Sequence, residues 1–345
     1  MPMEPMLETY NANSALQATC QSIGNPILEG MAIDYREKTA NKNLKLLRIA
    51  DHGCSGGRNS YEPMRTIIST LGRSSVVSTE CILGDLPSNP WHQVMEEGAR
   101  LTDKFNGNVH CLCAGTSFYN QVCGDETLDL AYSYVAVHFL SRSWPMSSHV
   151  SLHECAPEER KNWQVQAAQD WERFLFLRAR ELKRGGKMMV STMSRDELGY
   201  SWKEFSHLVW DSVNFVRSRG GLSQEEVEAL CIPACLRSEG EILAPFARDS
   251  EVSSAFRIDS LQFARTEVEE ERHQPTSVLV PLIRRRVESV LGGVFLVQLR
   301  KCGRSNSAAI GIMQEVWNAF EEKLSQDPTM GWLDMRCFYL QLTRI

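Results

Sequence analysis

Three short stretches combine glycine with small hydroxyl residues, two of them with a carboxylate, in an order suited to binding a nucleoside. In Asp51-His52-Gly53-Cys54-Ser55-Gly56-Gly57-Arg58-Asn59 the glycines let the backbone approach a ligand closely, and Asp51 can receive an ammonium or a hydroxyl. In Leu83-Gly84-Asp85-Leu86-Pro87-Ser88-Asn89 the acid can accept both hydroxyls of a ribose while Leu86 packs on a purine. Gly115-Thr116-Ser117-Phe118-Tyr119 follows hydroxyls with two aromatics able to sandwich an adenine. For any one loop alone a turn with a helix cap is the favoured reading, since Asp and Ser are common N-cap residues, and Phe118 has core as its ordinary alternative. Together, and in this order, they favour a nucleoside cofactor without a pyrophosphate. Neither Gly-x-Gly-x-x-Gly for a dinucleotide nor Gly-Lys-Ser/Thr for a triphosphate accompanies them.

Such loops work at the carboxyl ends of parallel strands. Short apolar runs at residues 44–50, 76–83, 110–114, 128–134 and 187–192 read as strands, with helical patterns between them at 61–71 and 163–184. Strands alternating with helices predict an α/β chain with a parallel, Rossmann-like, doubly wound sheet. After Met193 the texture becomes helical, at 204–217 and 224–229, before strand-like runs return at 256–263 and 338–343 around helices at 278–291 and 310–324. The expected organisation is a sheet domain of residues 1–192, completed by 253–270 and 330–345, and a helical cap of 193–252 and 271–329.

With 345 residues, 43% of them hydrophobic, the chain can bury a full core. Its 37 Lys and Arg against 43 Asp and Glu leave a net charge of −6, which argues against a nucleic-acid partner. The run Arg284-Arg285-Arg286 reads as a solvated helix face. Residues 1–17 hold no apolar run behind a basic cap, and no stretch approaches the roughly 20 apolar residues of a membrane helix, so a cytoplasmic protein without a membrane partner is expected. Eleven cysteines scattered through a long chain fit reduced thiols, and Cys111 with Cys113 lacks the second pair of a zinc site.

Several of these motifs resemble the SABATH family of plant-type salicylate, benzoate, jasmonate and caffeine methyltransferases. The first loop is similar to that family's Ala-Asp-Leu-Gly-Cys-Ser-Ser-Gly-Pro-Asn, with Ala50, Asp51, Gly53, Cys54, Ser55, Gly57 and Asn59 retained and His52, Gly56 and Arg58 departing. Asp85-Leu86-Pro87 with Asn89 resembles Asn-Asp-Leu-Pro-Gly-Asn, and Ser117-Phe118-Tyr119 resembles Gly-Ser-Phe-Tyr. Further similarity lies in Tyr10 to Gln17, in the Asp170-Trp171 helix that runs to Gly185-Gly186, and in the ending Phe338 to Ile345.

The resemblance implies a class I methyltransferase sheet with a helical cap and S-adenosyl-L-methionine as cofactor. It implies cofactor contacts from Tyr10, Ser14, Asp51, Gly53, Asn59, Asp85, Leu86, Ser117 and Phe118, and a substrate carboxylate held by Gln17. The family's substrate stretch Ser-Ser-Tyr-Ser-Leu-His-Trp-Leu-Ser corresponds to Ser133 through Ser141, which gives Val135, His138 and Phe139 as further substrate residues. Phe139 stands where an indole would donate a hydrogen bond to the acid, and Val135 stands where the family has Tyr. A buried His satisfied by a carbonyl is the ordinary alternative for His138. The family's Asp-Ser-Phe-Asn-Ile-Pro is replaced by Glu228-Ala229-Leu230-Cys231-Ile232-Pro233, so oxygen ligands for a hard cation are largely missing and no metal is expected. Trp202, Phe205 and Trp210, with Val287 and Leu291, are weaker pocket candidates, and a homodimer is implied by resemblance alone.

The expected reaction is transfer of a methyl group to the carboxylate of a small organic acid. Such a carboxylate, with a pKa near ~4, is already ionised at neutral pH and needs no general base. Gln17 and His138 would then align the acid by hydrogen bonds and no proton-transferring catalytic residue is needed. N- or O-methylation of a heterocycle or phenol, and a catalytically silent acid-binding homologue, are the alternatives.

Overall fold

The computed structural model describes residues 6, 9–41, 44–72, 78–266, 273–331 and 335–345. The chain opens with α1 (Tyr10–Asn13) and α2 (Ala15–Thr39). It continues through β1 (Leu46–His52), α3 (Arg58–Leu71), β2 (Ser78–Asp85), α4 (Trp91–Lys104), β3 (Val109–Gly115), β4 (Leu128–Tyr134), α5 (Pro157–Glu181) and β5 (Leu182–Met193). A small hairpin, β6 (Arg195–Asp196) with β7 (Gly199–Tyr200), leads into α6 (Lys203–Ser218), α7 (Gln224–Ala229), α8 (Glu239–Leu243) and α9 (Glu251–Ala255). Then follow β8 (Phe256–Thr266), α10 (Thr276–Lys301), α11 (Asn306–Gln326) and β9 (Met335–Arg344).

Seven strands form one sheet in the order β3-β2-β1-β4-β5-β9-β8, with β9 antiparallel to both neighbours and the other pairings parallel. The order reverses between β1 and β4, so the loops after β1, β2 and β3 open on the crevice where doubly wound sheets bind ligands. Period-two alternation divides the strands between two cores. Leu47, Ile49, Leu130, Tyr132, Met189 and Tyr339 face α2, α3 and α4, whereas Ala50, Ala131, Met188, Val190 and Leu340 face α5. A separate apolar cluster holds α6, α7, α10 and α11 together.

Every strand and helix read from the sequence is present, β4 and α7 with the same ends and the others with shifted ends. The helix read to residue 184 stops at Glu181, because the chain passes at once into β5 and turns at Gly185 with φ +81°. Residues 76–77, 267–272 and 332–334 of the expected segments lie outside the described residues. The sequence reading named no helix at α2, whose interior contains Gly24, Pro26 and Gly30. Gly24 is there for contact: a Cβ on it would lie 2.6 Å from the Tyr134 ring and 2.9 Å from that of Tyr339.

Lys187 staples α2 to the far end of the sheet. Its side chain is buried, and Nζ lies 2.5 Å from Asp34 Oδ2, 2.8 Å from Asp259 Oδ2 and 2.9 Å from Thr343 Oγ1. Burial alone would raise the Asp34 and Asp259 carboxyls, but the hydrogen bonds from Lys187 and their neighbours outweigh it and hold both below the usual range. Lys187→Met leaves two carboxylates without their cation and is expected to cost about 2 kcal/mol at pH 7, less than a fully buried pair because both acids keep some water. Depressed carboxylates contribute stability above their unfolded pKa and lose it as pH falls through the folded value. The deficit, measured by urea unfolding, is therefore expected to shrink below pH 4.

Candidate functional site

β1 ends in the glycine loop, and backbone conformation fixes its shape. Gly53 has φ +102° and Gly57 φ +83°, values open to glycine. A Cβ on Gly53 would lie 2.5 Å from the Ala136 Cβ, with the Phe118 ring edge 3.7 Å away. The Gly53 and Cys54 N–H groups both donate to the Gly84 carbonyl, at 2.8 and 3.1 Å, which ties the loop to the end of β2. Ser55 N–H donates to Asp85 Oδ2 and Leu86 N–H to Asp85 Oδ1, each at 2.7 Å, and Asn89 Nδ2 donates to the Ser55 carbonyl at 2.7 Å. Each Asp85 oxygen keeps a second lone pair, so a diol can still be received there.

The two acids at this crevice are electrostatically expensive. Burial pushes Asp51 up to about 7; hydrogen bonds from Ser60 and Tyr132 oppose the rise and the Asp85 charge adds to it. Burial also raises Asp85, against the two backbone N–H donors. A cation placed between them relieves both.

The N-terminal segment folds over the loop. Asn11 Nδ2 donates to the Gly56 carbonyl at 2.8 Å and to Gln93 Oε1 at 2.9 Å, and Arg58 Nη1 donates to the Asn11 carbonyl at 3.2 Å. Buried Ser14 approaches Asn59, Oγ to Oδ1 3.4 Å, and Gln21 Nε2 donates to the Asn59 carbonyl at 2.6 Å. Ser14, Asp51, Gly53, Asn59 and Asp85 are thus brought to one crevice. Leu86 is half-buried beside Asp85 and belongs to none of the apolar clusters. Tyr10 lies in α1, and its side chain is outside the described residues.

Ser117 is half-buried after β3, and its Oγ accepts from the Tyr119 N–H at 3.2 Å. Phe118 is buried at 7% exposure against Tyr119 and Phe174, with its edge toward Gly53. The Tyr119 hydroxyl donates to the Phe139 carbonyl at 2.6 Å, so this second aromatic braces the stretch after β4. In that stretch Val135 adopts φ +50°, a costly conformation for a β-branched residue, while its N–H donates to the Ser191 carbonyl at 2.9 Å. Phe139 is buried in the cap cluster, its ring 4.3 Å from that of His138. His138 is also buried, neither ring nitrogen has a partner among the described residues, and burial with the nearby Arg237 charge lowers its pKa to about 3.

Gln17 from α2, Trp202 and Phe205 at the start of α6, and Arg286, Val287 and Leu291 on one face of α10 enclose a cavity of about 20 Å³. That is room for little more than one water. Gln17 Oε1 and Trp202 Nε1 are buried there with no hydrogen-bond partner among the described residues. The Trp202 ring stands edge-on to His138 at 5.8 Å, which joins the Gln17 wall to the stretch after β4. Phe139 and Val135 do not line this cavity, and neither does Trp210, which packs on His149 at 5.5 Å.

Arg286 was missed. The reading of all three arginines as a solvated face is corrected here: Arg285 is exposed and Arg284 pairs with Glu321, but Arg286 is only 4% exposed. The available signal was register, since Arg286 falls on the same face of α10 as Leu279, Ile283 and Val290.

The strand order and the loops after β1, β2 and β3 define a class I methyltransferase fold. A family profile described as SAM dependent carboxyl methyltransferase matches residues 6–331, and the chain belongs to that family. In structure it is similar to loganic acid methyltransferase with SAH, at TM-score 0.79 and 17% identity over 99% of this chain and 98% of that one. In sequence it is similar to the salicylate/benzoate carboxyl methyltransferase of Arabidopsis thaliana, 25% identical over 65% of this chain and 64% of the relative. It is also similar to methyltransferase LUC1 of a Fusarium species, 26% identical over 55% of this chain and 51% of the relative. The chain spans about half the length of such fungal relatives. Among the described residues, no helix is long and apolar enough to cross a membrane.

The raised Asp51 pKa carries a pH signature. The folded chain keeps the Asp51 proton up to about pH 7, whereas the unfolded chain releases it near ~4, so this group's contribution to stability falls as pH rises through that window. Asp51→Asn removes the effect: its stability relative to wild type is expected to increase from pH 4 to pH 7.5, by on the order of 1 kcal/mol. Parallel pH profiles for the two proteins would mean that Asp51 is ordinarily ionised.

Proposed function

We propose that this protein transfers a methyl group from S-adenosyl-L-methionine to the carboxylate of a small organic acid, forming a methyl ester and S-adenosylhomocysteine. When bound, S-adenosyl-L-methionine supplies a sulfonium methyl with a neutral thioether as leaving group. In this reading residues 1–192, with 253–270 and 330–345, hold the cofactor, while 193–252 and 271–329 form the cap over the acceptor. The reading includes a homodimer working in the cytoplasm.

The residues at the crevice fit such a cofactor. Gly53 turns the loop at φ +102° where Ala136 leaves no room for a Cβ, and Asp51 is a buried acid that gains from an ammonium. Asp85 retains lone pairs for ribose hydroxyls, with Leu86 beside it for the purine. Tyr10, Ser14, Asn59, Ser117 and Phe118 complete the contacts in this reading.

One observation favours a carboxylate acceptor: His138, with a pKa of about 3, is a poor base at neutral pH. A phenol would need its proton removed by such a group, whereas a carboxylate arrives ionised. Gln17 and His138 then act as neutral hydrogen-bonding groups that orient the acid, with apolar cap residues excluding water. Proximity and orientation can supply several kcal/mol of the barrier reduction. The acceptor oxygen gains the methyl, the sulfonium leaves as the thioether, and the acceptor's charge goes from −1 to neutral.

The direct test incubates the purified protein with methyl-labelled S-adenosyl-L-methionine and a panel of benzoates, cinnamates, indole-3-acetate, jasmonate and heterocyclic amines. Base-labile label in the organic extract is the expected result. Base-stable label on an amine would point to N-methylation, and cofactor binding without any labelled product would point to a silent homologue. With an ionised acceptor and no titrating base, kcat is expected to be flat between pH 6.5 and 8.5.

A further inference from the structure

Two opposite charges are fully enclosed at the end of α5, behind the crevice. Arg178 and Glu181 are both 0% exposed, and Arg178 Nη2 lies 2.7 Å from Glu181 Oε1. Exchanging a buried ion pair for apolar residues of similar volume is often neutral or stabilising, so enclosure by itself gives no reason for this pair. Its remaining hydrogen bonds give one. Arg178 donates from Nη1 to the Phe118 carbonyl at 2.8 Å and from Nη2 to the Asn120 carbonyl at 3.0 Å. Glu181 Oε1 accepts from the N–H groups of Val122 and Cys123, at 2.5 and 3.2 Å. These backbone groups lie between β3 and β4, where no helix or strand supplies them with partners. The pair therefore fixes the path of the chain directly after Ser117.

The same pair governs the ring of Phe118. The Arg178 guanidinium stands over Phe174, 5.2 Å from the ring centre, and Phe118 packs edge-on against that ring at 6.0 Å. Phe118 is thus held by its carbonyl and by its ring, with its edge toward Gly53. From the other side, the loop after β1 meets the pair through His52. Both ring nitrogens of His52 and Glu181 Oε2 are buried without hydrogen-bond partners among the described residues, and Nε2 faces Oε2 across 3.9 Å. Burial and the Arg178 charge lower the His52 pKa well below its ordinary value, so a neutral imidazole stands beside the carboxylate. A closure of about 1 Å turns that approach into a hydrogen bond. One buried pair thereby borders both the loop after β1 and the stretch after β3.

We propose that Arg178 and Glu181 are positioning residues for the adenine of the cofactor, fixing Ser117 and Phe118 as the adenine-facing wall of the crevice. Adenine is uncharged, so its seat depends on the placement of neighbouring rings, hydroxyls and backbone, and ordering these beforehand spares that entropy cost on binding. Having no exposed surface, Arg178 and Glu181 touch no ligand themselves and act through the chain they hold. This inference deepens the cofactor reading above and rests on it.

Calorimetric titration with S-adenosylhomocysteine, beside S-ribosyl-L-homocysteine, which keeps the ribose and the amino acid but lacks the base, tests it. For wild type the base is expected to add about thirtyfold in affinity, the size typical of one base held on an aromatic ring. Arg178→Met is expected to lose about tenfold for S-adenosylhomocysteine and to stay within about twofold for S-ribosyl-L-homocysteine. Arg178→Lys, which keeps the charge but not the fork, and Glu181→Gln are expected to fall between these limits. An unchanged far-UV spectrum with cooperative melting identifies the folded variants. A full preference for the adenine-bearing ligand in every folded variant overturns the proposal. An equal loss for both ligands, or failure of all three variants to fold, overturns it too, because the pair is then a general support of the fold. If wild type prefers S-adenosylhomocysteine and the variants match it, the positioning role falls and the cofactor reading stands. If wild type binds neither ligand, that reading falls and the proposal with it; equal binding of both by wild type removes the adenine wall alone.

Discussion

Two carboxylates at the ends of neighbouring strands set the terms for the rest of this structure. Asp51 is buried one residue before the end of β1 and Asp85 ends β2, where burial raises both carboxyls and the Asp85 charge raises Asp51 further. Without a ligand, the sheet tolerates them by keeping a proton on Asp51 and by giving both Asp85 oxygens to backbone N–H groups. A cationic ligand with hydroxyls would satisfy the same groups at lower cost. The glycine loop, the crossing of Asn11 over Gly56 and the close approach of Gly53 to Ala136 all shape space around that pair.

Strain collects in the same region. Among the described residues, five non-glycines have positive φ, and three of them, Ser55, Val135 and Trp202, lie at the crevice or the adjoining cavity. Each such residue costs on the order of 1–3 kcal/mol, sustainable only where neighbouring packing enforces it. Here the support is visible: both sheet faces are covered, Tyr119 braces Phe139, and Arg237 is fully enclosed with its fork on the Val137 and Ala167 carbonyls. The scaffold is ordinary and well packed, and three of its unmet polar side chains, Gln17, His138 and Trp202, stand at the cavity and beside it.

The legible parts of the sequence were those with a single dominant signal. β4 was read to the residue: it is buried along its whole length, and Leu128, Leu130, Ala131, Tyr132 and Tyr134 outweigh the buried Asp129 and Ser133. The three loops stood out through their combination and order, glycine with an acid in the first two and hydroxyls with aromatics in the third, since each alone is also an ordinary capped turn. Helix α2 was not legible, since Gly24, Pro26 and Gly30 lower its local propensity and its reason for being helical lies in contacts with Tyr134 and Tyr339. Arg286 was hidden inside a basic run, and its register against Ile283 and Val290 decides its fate more than its charge does. Nothing local predicts that Trp202 takes a left-handed conformation or that its indole is left unmatched; both are set by tertiary packing. Phe118 shows the reverse case: the two readings open at the sequence level, core and ligand wall, are both compatible with a buried ring whose edge meets Gly53.

The central claim is that a buried acid pair and the glycine loop after β1 bind S-adenosyl-L-methionine. Calorimetric titration of the purified protein with that cofactor at pH 6.5, in two buffers of different ionisation enthalpy, tests it most directly. Saturable one-site binding, with protons released as the ligand's ammonium displaces the proton on Asp51 and affinity rising toward pH 8, is the expected result. Absence of binding at both pH values would contradict the claim, and binding without proton release would show that the ligand does not engage Asp51.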